Sequence, residues 1–322
     1  MTFTVLVSSA GRRVSLMRSL REAVAATGQQ PRILACDMTW NAAAMRTADA
    51  GFIVPPCTDP AFGEHMAKLC AQEGVGLVVP TIDTELAAWA RLRYELTPNG
   101  TSVGVSDEVT VRIAADKRLT NGHCRAIGVP CPRQATAEIV LEQRGVWSLP
   151  LVAKPPAGSA SQGLRHITSW AELERLVGED VVVEERAEGI EHTVDVYVDR
   201  AGVARCPVVR RRIEVRAGEV SKALVVRDEH LASLAVRTVE SLPGAYGPMN
   251  VQIFADGDQA SVIEINARFG GGYPLTWRAG GRHGEWLVRE AIDGTVEIGQ
   301  SRVEYGLMML RWDDEVFVYA DR

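Results

Sequence analysis

No apolar run in these 322 residues approaches the roughly 20 needed to cross a bilayer, so a helical membrane protein is not expected. The opening Met1-Thr2-Phe3-Thr4-Val5-Leu6-Val7 lacks the basic-then-apolar layout of a secretory leader and runs straight into a strand pattern, which makes a cytoplasmic enzyme the expected setting. Positive charge is in short supply. With 35 Lys and Arg against 41 Asp and Glu, the net charge of -6 argues against a nucleic-acid binder, which needs a basic footprint to neutralise phosphates. The six cysteines (Cys36, Cys57, Cys70, Cys124, Cys131 and Cys206) form no C-x-x-C pair and have no nearby histidine spacing. Neither a zinc site nor a disulfide framework is suggested, and reduced thiols are expected. The fingerprint G-x-G-x-x-G is missing where the first strand meets its helix, at Ser8-Ser9-Ala10-Gly11-Arg12-Arg13, which makes a nicotinamide dehydrogenase remote.

The composition, 46% hydrophobic and 24% charged, fits a globular chain, and the length predicts two or three subdomains. Up to about residue 106, apolar strands near 4–7, 32–36 and 75–79 alternate with helical patterns near 14–24, 62–73 and 84–94. Such alternation predicts an α/β domain with a parallel sheet. Ligands of open α/β sheets sit beyond the carboxyl ends of the strands, so Gly11, Arg12, Arg13, Asp37, Thr81, Asp83 and Glu85 should share one rim and are the candidates for the variable substrate. Arg12 and Arg13 at a helix start suit a carboxylate or phosphate, although exposed arginines are common. For Asp83 and Glu85 a helix-capping role competes.

The pattern changes after Asn99-Gly100. Two helical pieces spanning 106–126 carry Asp116-Lys117, and a strand ending in Val152-Ala153-Lys154-Pro155 is followed by small residues including Gly158, Ser159, Ser161 and Gly163, whose backbone could wrap a polyphosphate. Glu184-Glu185-Arg186-Ala187 closes another strand, and an alternating strand begins at Glu191. Strands near 204–209 and 220–226 carry Arg210-Arg211-Arg212 and Lys222, basic groups of the type that neutralises phosphates or guards a solvated edge. Then come two alternating runs, Met249–254 and 261–266, flanking Asp256-Gly257, a hairpin signal. Residues two apart share a strand face, so Gln252, Glu264 and Asn266 should converge, with Arg268 just beyond. Such an all-oxygen set suits a hard cation such as Mg²⁺ or Mn²⁺.

In order and spacing, Asp116-Lys117, Val152-Ala153-Lys154-Pro155 with its small-residue loop, 183–191, Gln252 and Glu264-Ile265-Asn266-Ala267-Arg268 resemble the ATP-grasp superfamily, most nearly single-unit proteins similar to one half of the carbamoyl-phosphate synthetase large subunit. The resemblance implies an N-terminal pre-ATP-grasp α/β domain (1–106), linker helices with a small α+β lid (107–186) and a C-terminal antiparallel-sheet catalytic domain (187–322). It implies that Lys117 and Lys154 contact ATP phosphates, that Gly158 to Gly163 cover them, that Glu184, Glu185, Arg186 and Ala187 form the adenine hinge, and that Glu191 accepts the ribose hydroxyls. Glu264 and Asn266 would hold Mg²⁺ with Gln252 in support, and Arg268 would stabilise the activated carboxylate, with Arg211 and Lys222 as further catalytic candidates. The implied reaction joins a small-molecule carboxylate to an amine through an acyl-phosphate. A carboxylate kinase or carboxylase, and a non-catalytic ATP-binding protein, are the alternatives. Homodimers are common in the resembled family. With no glutaminase-like Cys/His arrangement and no Met-Lys-Met biotin-attachment sequence, neither free carbamoyl phosphate nor a biotin carrier is expected.

Overall fold

A strand covered on both faces reads as an unbroken apolar run. β1 (Thr2–Ser8) is such a strand, with Val5, Leu6 and Val7 fully buried. In the computed structural model, which describes residues 1–158, 163–216, 218–299 and 301–319, β1 is joined by β2 (Gln30–Asp37), β3 (Ala50–Ile53), β4 (Leu77–Pro80) and β5 (Ser102–Val103). All pair in parallel, in the order β3-β2-β1-β4-β5. The order reverses between β1 and β4, so the loops leaving their carboxyl ends, 8–13 and 80–85, open a crevice at the topological switch point.

The lid is a four-stranded antiparallel sheet of β6 (Gln134–Ala135), β7 (Leu151–Lys154), β8 (Arg165–Ile167) and β9 (Val182–Glu185), ordered β6-β9-β7-β8. It has an interior of its own, including Val140, Leu151, Leu173 and Val183. The third sheet, also antiparallel, is built from β10 (Ile190–Val198), β11 (Ala204–Arg216), β12 (Glu219–Val225), β13 (Gly247–Asp256), β14 (Gln259–Asn266) and β15 (Met308–Leu310), ordered β14-β13-β10-β11-β12-β15. The architecture is the expected one: a parallel N-terminal sheet followed by a small lid and a larger antiparallel sheet.

The first and third sheets are not separately filled. Leu6, Leu34 and Trp89 share one apolar cluster with Val194, Met249 and Ile265, and Val5, Val7 and Leu20 share another with Tyr197, Phe269 and Leu287. The helices Glu108–Ala115 and Lys117–Ala126, grouped with the lid on sequence, bury Val111 and Cys124 in the first of these clusters and so pack with the body. β11 also differs from expectation. It continues through Arg210-Arg211-Arg212 to Arg216 between β10 and β12, so the triple arginine lies inside the sheet. All six cysteines are free, and among the described residues no helix is long and apolar enough to cross a membrane.

Candidate active site

The β13–β14 hairpin turns at Gly257, whose φ of +57° is one that glycine takes without strain. Its register pairs Asn250 with Asn266 and Gln252 with Glu264. On the opposite face Val251, Ile253, Val262 and Ile265 are buried, and a one-residue slip would turn them to solvent. The core therefore fixes which face carries the four polar side chains. That face is the floor of a cleft of about 210 Å³, bounded by Thr193, Arg210 and Arg212 from β10 and β11, Glu219 and Val220 from β12, and Arg13, Thr81 and Asp83 from the switch-point loops.

Arg268 is held across this cleft. Its Nη2 donates to Asp83 Oδ2 at 2.6 Å and to Asn266 Oδ1 at 2.9 Å, and its Nη1 donates to the Phe269 carbonyl at 3.1 Å. Asn250 closes the ring, donating to the Arg268 carbonyl at 3.1 Å and accepting from Asn266 at 3.3 Å. Buried Nε of Arg268 has no hydrogen-bond partner among the described residues, and the same is true of Arg212 Nε and Arg210 Nη1. Unpaired buried donors are costly, and all three belong to arginines that line this one cleft, which concentrates positive charge around it. Glu264 sits beside them. Burial pushes its carboxyl above the ordinary glutamate value; Lys117 opposes that shift and Asp83 adds to it. A divalent cation held by Glu264 with the amide oxygens of Asn266 and Gln252 would offset that burial cost, and the set fits a hard ion. Among the described residues no three His, Cys, Asp or Glu side chains form a metal cluster, so the candidate centre depends on amides beside a single carboxylate.

Lys117 opens its helix behind the cap Asp116, which accepts from the Arg118 N–H at 2.8 Å, and its Nζ donates to the Gly158 carbonyl at 2.7 Å. Burial lowers its pKa. From the lid, Lys154 Nζ pairs with Glu184 at 2.6 Å, and Glu184 also accepts from Gln134 at 2.7 Å. Glu191 pairs with Arg212 at 2.9 Å. Burial raises the Glu191 carboxyl and lowers the Arg212 guanidinium.

Asn250 and Asp195, given no role from sequence, matter here, as does Arg210, which the sequence did not distinguish from its two arginine neighbours. Asn250 lies two positions before Gln252 in the same alternation, a signal that was present. Arg210 makes a buried pair with Asp195, at 2.7 Å from Nε and 3.0 Å from Nη2, and Asp195 also accepts from Thr276. Among the glycines after Arg268, a Cβ on Gly272 would stand 2.1 Å from Arg210 Nη1 and 2.8 Å from Val220 Cγ1. None of Gly270, Gly271 and Gly272 takes a left-handed φ, so Gly272 makes room for the Arg210 guanidinium rather than supplying an unusual backbone.

Several expected residues lie elsewhere. Arg211 projects to the exposed face of β11, because side chains alternate and Arg210 and Arg212 take the cleft. Lys222 pairs with Glu214 at 2.6 Å and is 41% exposed, outside the residues lining the cleft. Glu85 is fully buried beneath the switch-point loops, accepting from Ser8, Ser9, the Thr81 N–H and Trp89, and so has no free edge for substrate. Asp37 accepts the Gly11 N–H at 2.9 Å, where Gly11 has φ +48°, and anchors that loop. Arg12 stands at the rim, 62% exposed and 3.6 Å from Glu219. In the hinge segment, Glu185 pairs with Arg133 at 2.5 Å, Arg186 is exposed and Ala187 is half-buried. Gly163 packs on Pro155, while Ser159 and Ser161 lie outside the described residues.

Residues 114–272 match the family described as ATP-grasp domain, and residues 5–104 match the PylC-like N-terminal domain. The chain carries an ATP-grasp domain. That domain match spans Lys117, Lys154, Glu191, Glu264 and Arg268 and ends at Gly272. A D-alanine–D-alanine ligase of Mycolicibacterium smegmatis is 27% identical over 220 residues, which cover 57% of this chain and 59% of that ligase. The chain thus spans about three fifths of the length of the curated relatives it matches. Among solved structures, the biotin carboxylase domain of Hydrogenobacter thermophilus 2-oxoglutarate carboxylase, crystallised with MgADP, ADP and bicarbonate, superposes with TM-score 0.75 at 18% identity over 96% of this chain and 74% of that one. N5-carboxyaminoimidazole ribonucleotide synthetase from Thermotoga maritima gives 0.68 at 18% identity over 94% and 78%. These two structures share the fold of this chain over nearly its whole length.

Proposed function

We propose that the protein is an ATP-dependent carboxylate-amine ligase of the cytoplasm acting on small molecules, a single unit similar to one half of the carbamoyl-phosphate synthetase large subunit. The observation that carries this reading is the Arg268–Asp83–Asn266–Asn250 ring, set beside Glu264 and three unpaired guanidinium donors. In the reaction, a carboxylate oxygen of the acid attacks the γ-phosphoryl of ATP, and ADP leaves. An amine then attacks the acyl-phosphate carbonyl, the phosphate departs, and the amine gives up a proton as the amide forms. Phosphoryl transfer asks mainly for positioning and charge neutralisation, so lysines and arginines suffice without a nucleophilic Ser or Cys.

Lys117 and Lys154 are assigned to the phosphates, the 184–187 segment to adenine and Glu191 to the ribose. Glu264 and Asn266, with Gln252 in support, would hold Mg²⁺, which would supply charge neutralisation to the phosphates. Arg268 balances the negative charge that develops on the acyl oxygen. Arg210 and Arg212 take the places that sequence gave to Arg211 and Lys222. The reading treats 1–106, 107–186 and 187–322 as the three working units, and a homodimer remains part of it. ADP release should depend jointly on Mg-ATP, an acid and an amine, with the amide detected by mass spectrometry. Hydroxamate trapping without any amide product would instead favour the carboxylate kinase.

A further inference from the structure

We infer that the acid substrate is an amphipathic carboxylate whose anionic head lodges at a three-arginine neck and whose apolar body fills the chamber next to the reaction cleft. The inference rests on the ligase reading for the reaction and on separate observations for the substrate. The chamber, about 720 Å³, adjoins the 210 Å³ cleft, and Arg12, Arg13, Glu219, Gly270 and Gly271 line both. It falls within the ~300–1,000 Å³ usual for small-molecule sites. At the neck three guanidinium groups face one carboxylate: Arg311 at 2.8 Å, Arg12 at 3.6 Å and Arg13 at 3.8 Å from Glu219. Arg311 is fixed there by a second bond, to the Gly271 carbonyl at 2.6 Å. Burial alone would raise the Glu219 carboxyl, yet the three arginines hold it below the ordinary value.

The charges that line the chamber do not cancel. Arg18, Arg216 and Arg278 balance Asp313, Asp314 and Glu315, whereas the three arginines around Glu219 leave two positive charges in excess. The lining also carries apolar side chains: Val14 and Leu16 of the first helix, Leu275, and Met308, Leu310 and Trp312 from β15 and the residue run beyond it. Met308, Leu310 and Trp312 are 49%, 61% and 77% exposed, so they present apolar surface for a ligand to cover. An anion is therefore drawn to the neck, toward Arg268, while its tail lies on the wall. Each methylene buried there should tighten binding about fourfold. A two-carbon acid would leave the wall wet.

The test is calorimetric titration of the full chain, in the presence of Mg-ADP, with acetate, hexanoate and 3-phenylpropanoate. Hexanoate and 3-phenylpropanoate should bind at least tenfold more tightly than acetate. Arg311→Leu should weaken all three by tenfold or more. Met308→Glu, at a half-exposed site that tolerates charge, should compress the hexanoate-to-acetate ratio to within about threefold. Mg-ADP binding with a flat acid series, or a size preference that survives Met308→Glu, overturns the chamber and leaves the ligase reading intact. Graded acid binding by protein that fails to bind Mg-ADP supports the chamber and overturns the ligase reading.

Discussion

The lid and the body of this protein hold their share of the site in opposite ways. The lid closes its interior on itself, around Val140, Leu151, Leu173 and Val183, and offers Lys154 and Glu184 from a four-stranded sheet. The body merges two sheets into shared cores, and its key contact, Arg268 to Asp83, joins residues that are 185 apart in sequence. The half of the site proposed for the acid is thus held by common packing. The half proposed for the nucleotide comes with a separate module, which meets the body at contacts such as Lys117 to the Gly158 carbonyl. A site assembled this way can keep its charge-stabilising groups fixed while the part that admits ATP moves.

The sharpest way to break that contrast is a matched pair of core truncations. Leu6→Ala should cost the whole body about 3–5 kcal/mol and lower the main melting transition. Leu173→Ala, with the same chemistry in the lid, should speed hydrogen exchange only between residues 134 and 185 and leave the body's protection as it was. Equal global effects would mean the two units are not energetically separate. Next in size, if Arg268 is the oxyanion donor proposed above, Arg268→Ala should lower the turnover of ADP release by about 10²–10³, with little change in melting temperature. Unchanged turnover would remove Arg268 from the chemistry.

A third effect belongs to the body alone. His283 is buried, its Nε2 bonded to the Cys206 carbonyl at 3.0 Å, and burial lowers its pKa from 6.5 to about 4. The folded state holds the neutral ring, so the unfolded chain binds a proton more readily. Stability from this group is complete above pH 6.5 and falls as pH drops toward 4, by roughly 3 kcal/mol. His283→Phe should flatten body stability in that window, as read from urea midpoints between pH 4 and 7. A slope that persists would point to other groups. The smallest effect expected is that of Asp83→Asn. It removes the charge that orients Arg268 from the far side of the cleft and should raise the KM for the acid about tenfold while changing nucleotide affinity little. A shift in nucleotide affinity instead would assign Asp83 to the lid's half of the site.

How much of this could be read in advance follows the same division. The β13–β14 hairpin was legible because its alternation and its Asp-Gly turn point the same way, even though the pairing register shifts between Gln252 and Ile253. Three strands of the parallel sheet, β1, β2 and β4, were legible from their apolar runs, whereas β3 and β5 were not. Arg210, Arg211 and Arg212 were not, since three identical residues carry no alternation and the pairing register shifts just after Arg212. β6, β8 and β15 are two or three residues long, too short to show a period. Asp195 sits among valines in β10, and nothing local marks its bond to Arg210. Glu85 looked like a rim residue because the sequence places it after β4, but the chain turns its carboxylate inward to tie the ends of β1 and β4 to Trp89 of the next helix.

The shared core also governs the order of events during synthesis. Leu6, Leu34 and Trp89 leave the ribosome well before Val194, Met249 and Ile265, against which they are finally packed. The first sheet must therefore wait, with apolar surface uncovered, for about a hundred residues or more to be translated, which at ~5–20 residues per second is a pause of roughly 5–20 seconds or longer. The lid, complete within 134–185, can fold while its neighbours are still waiting.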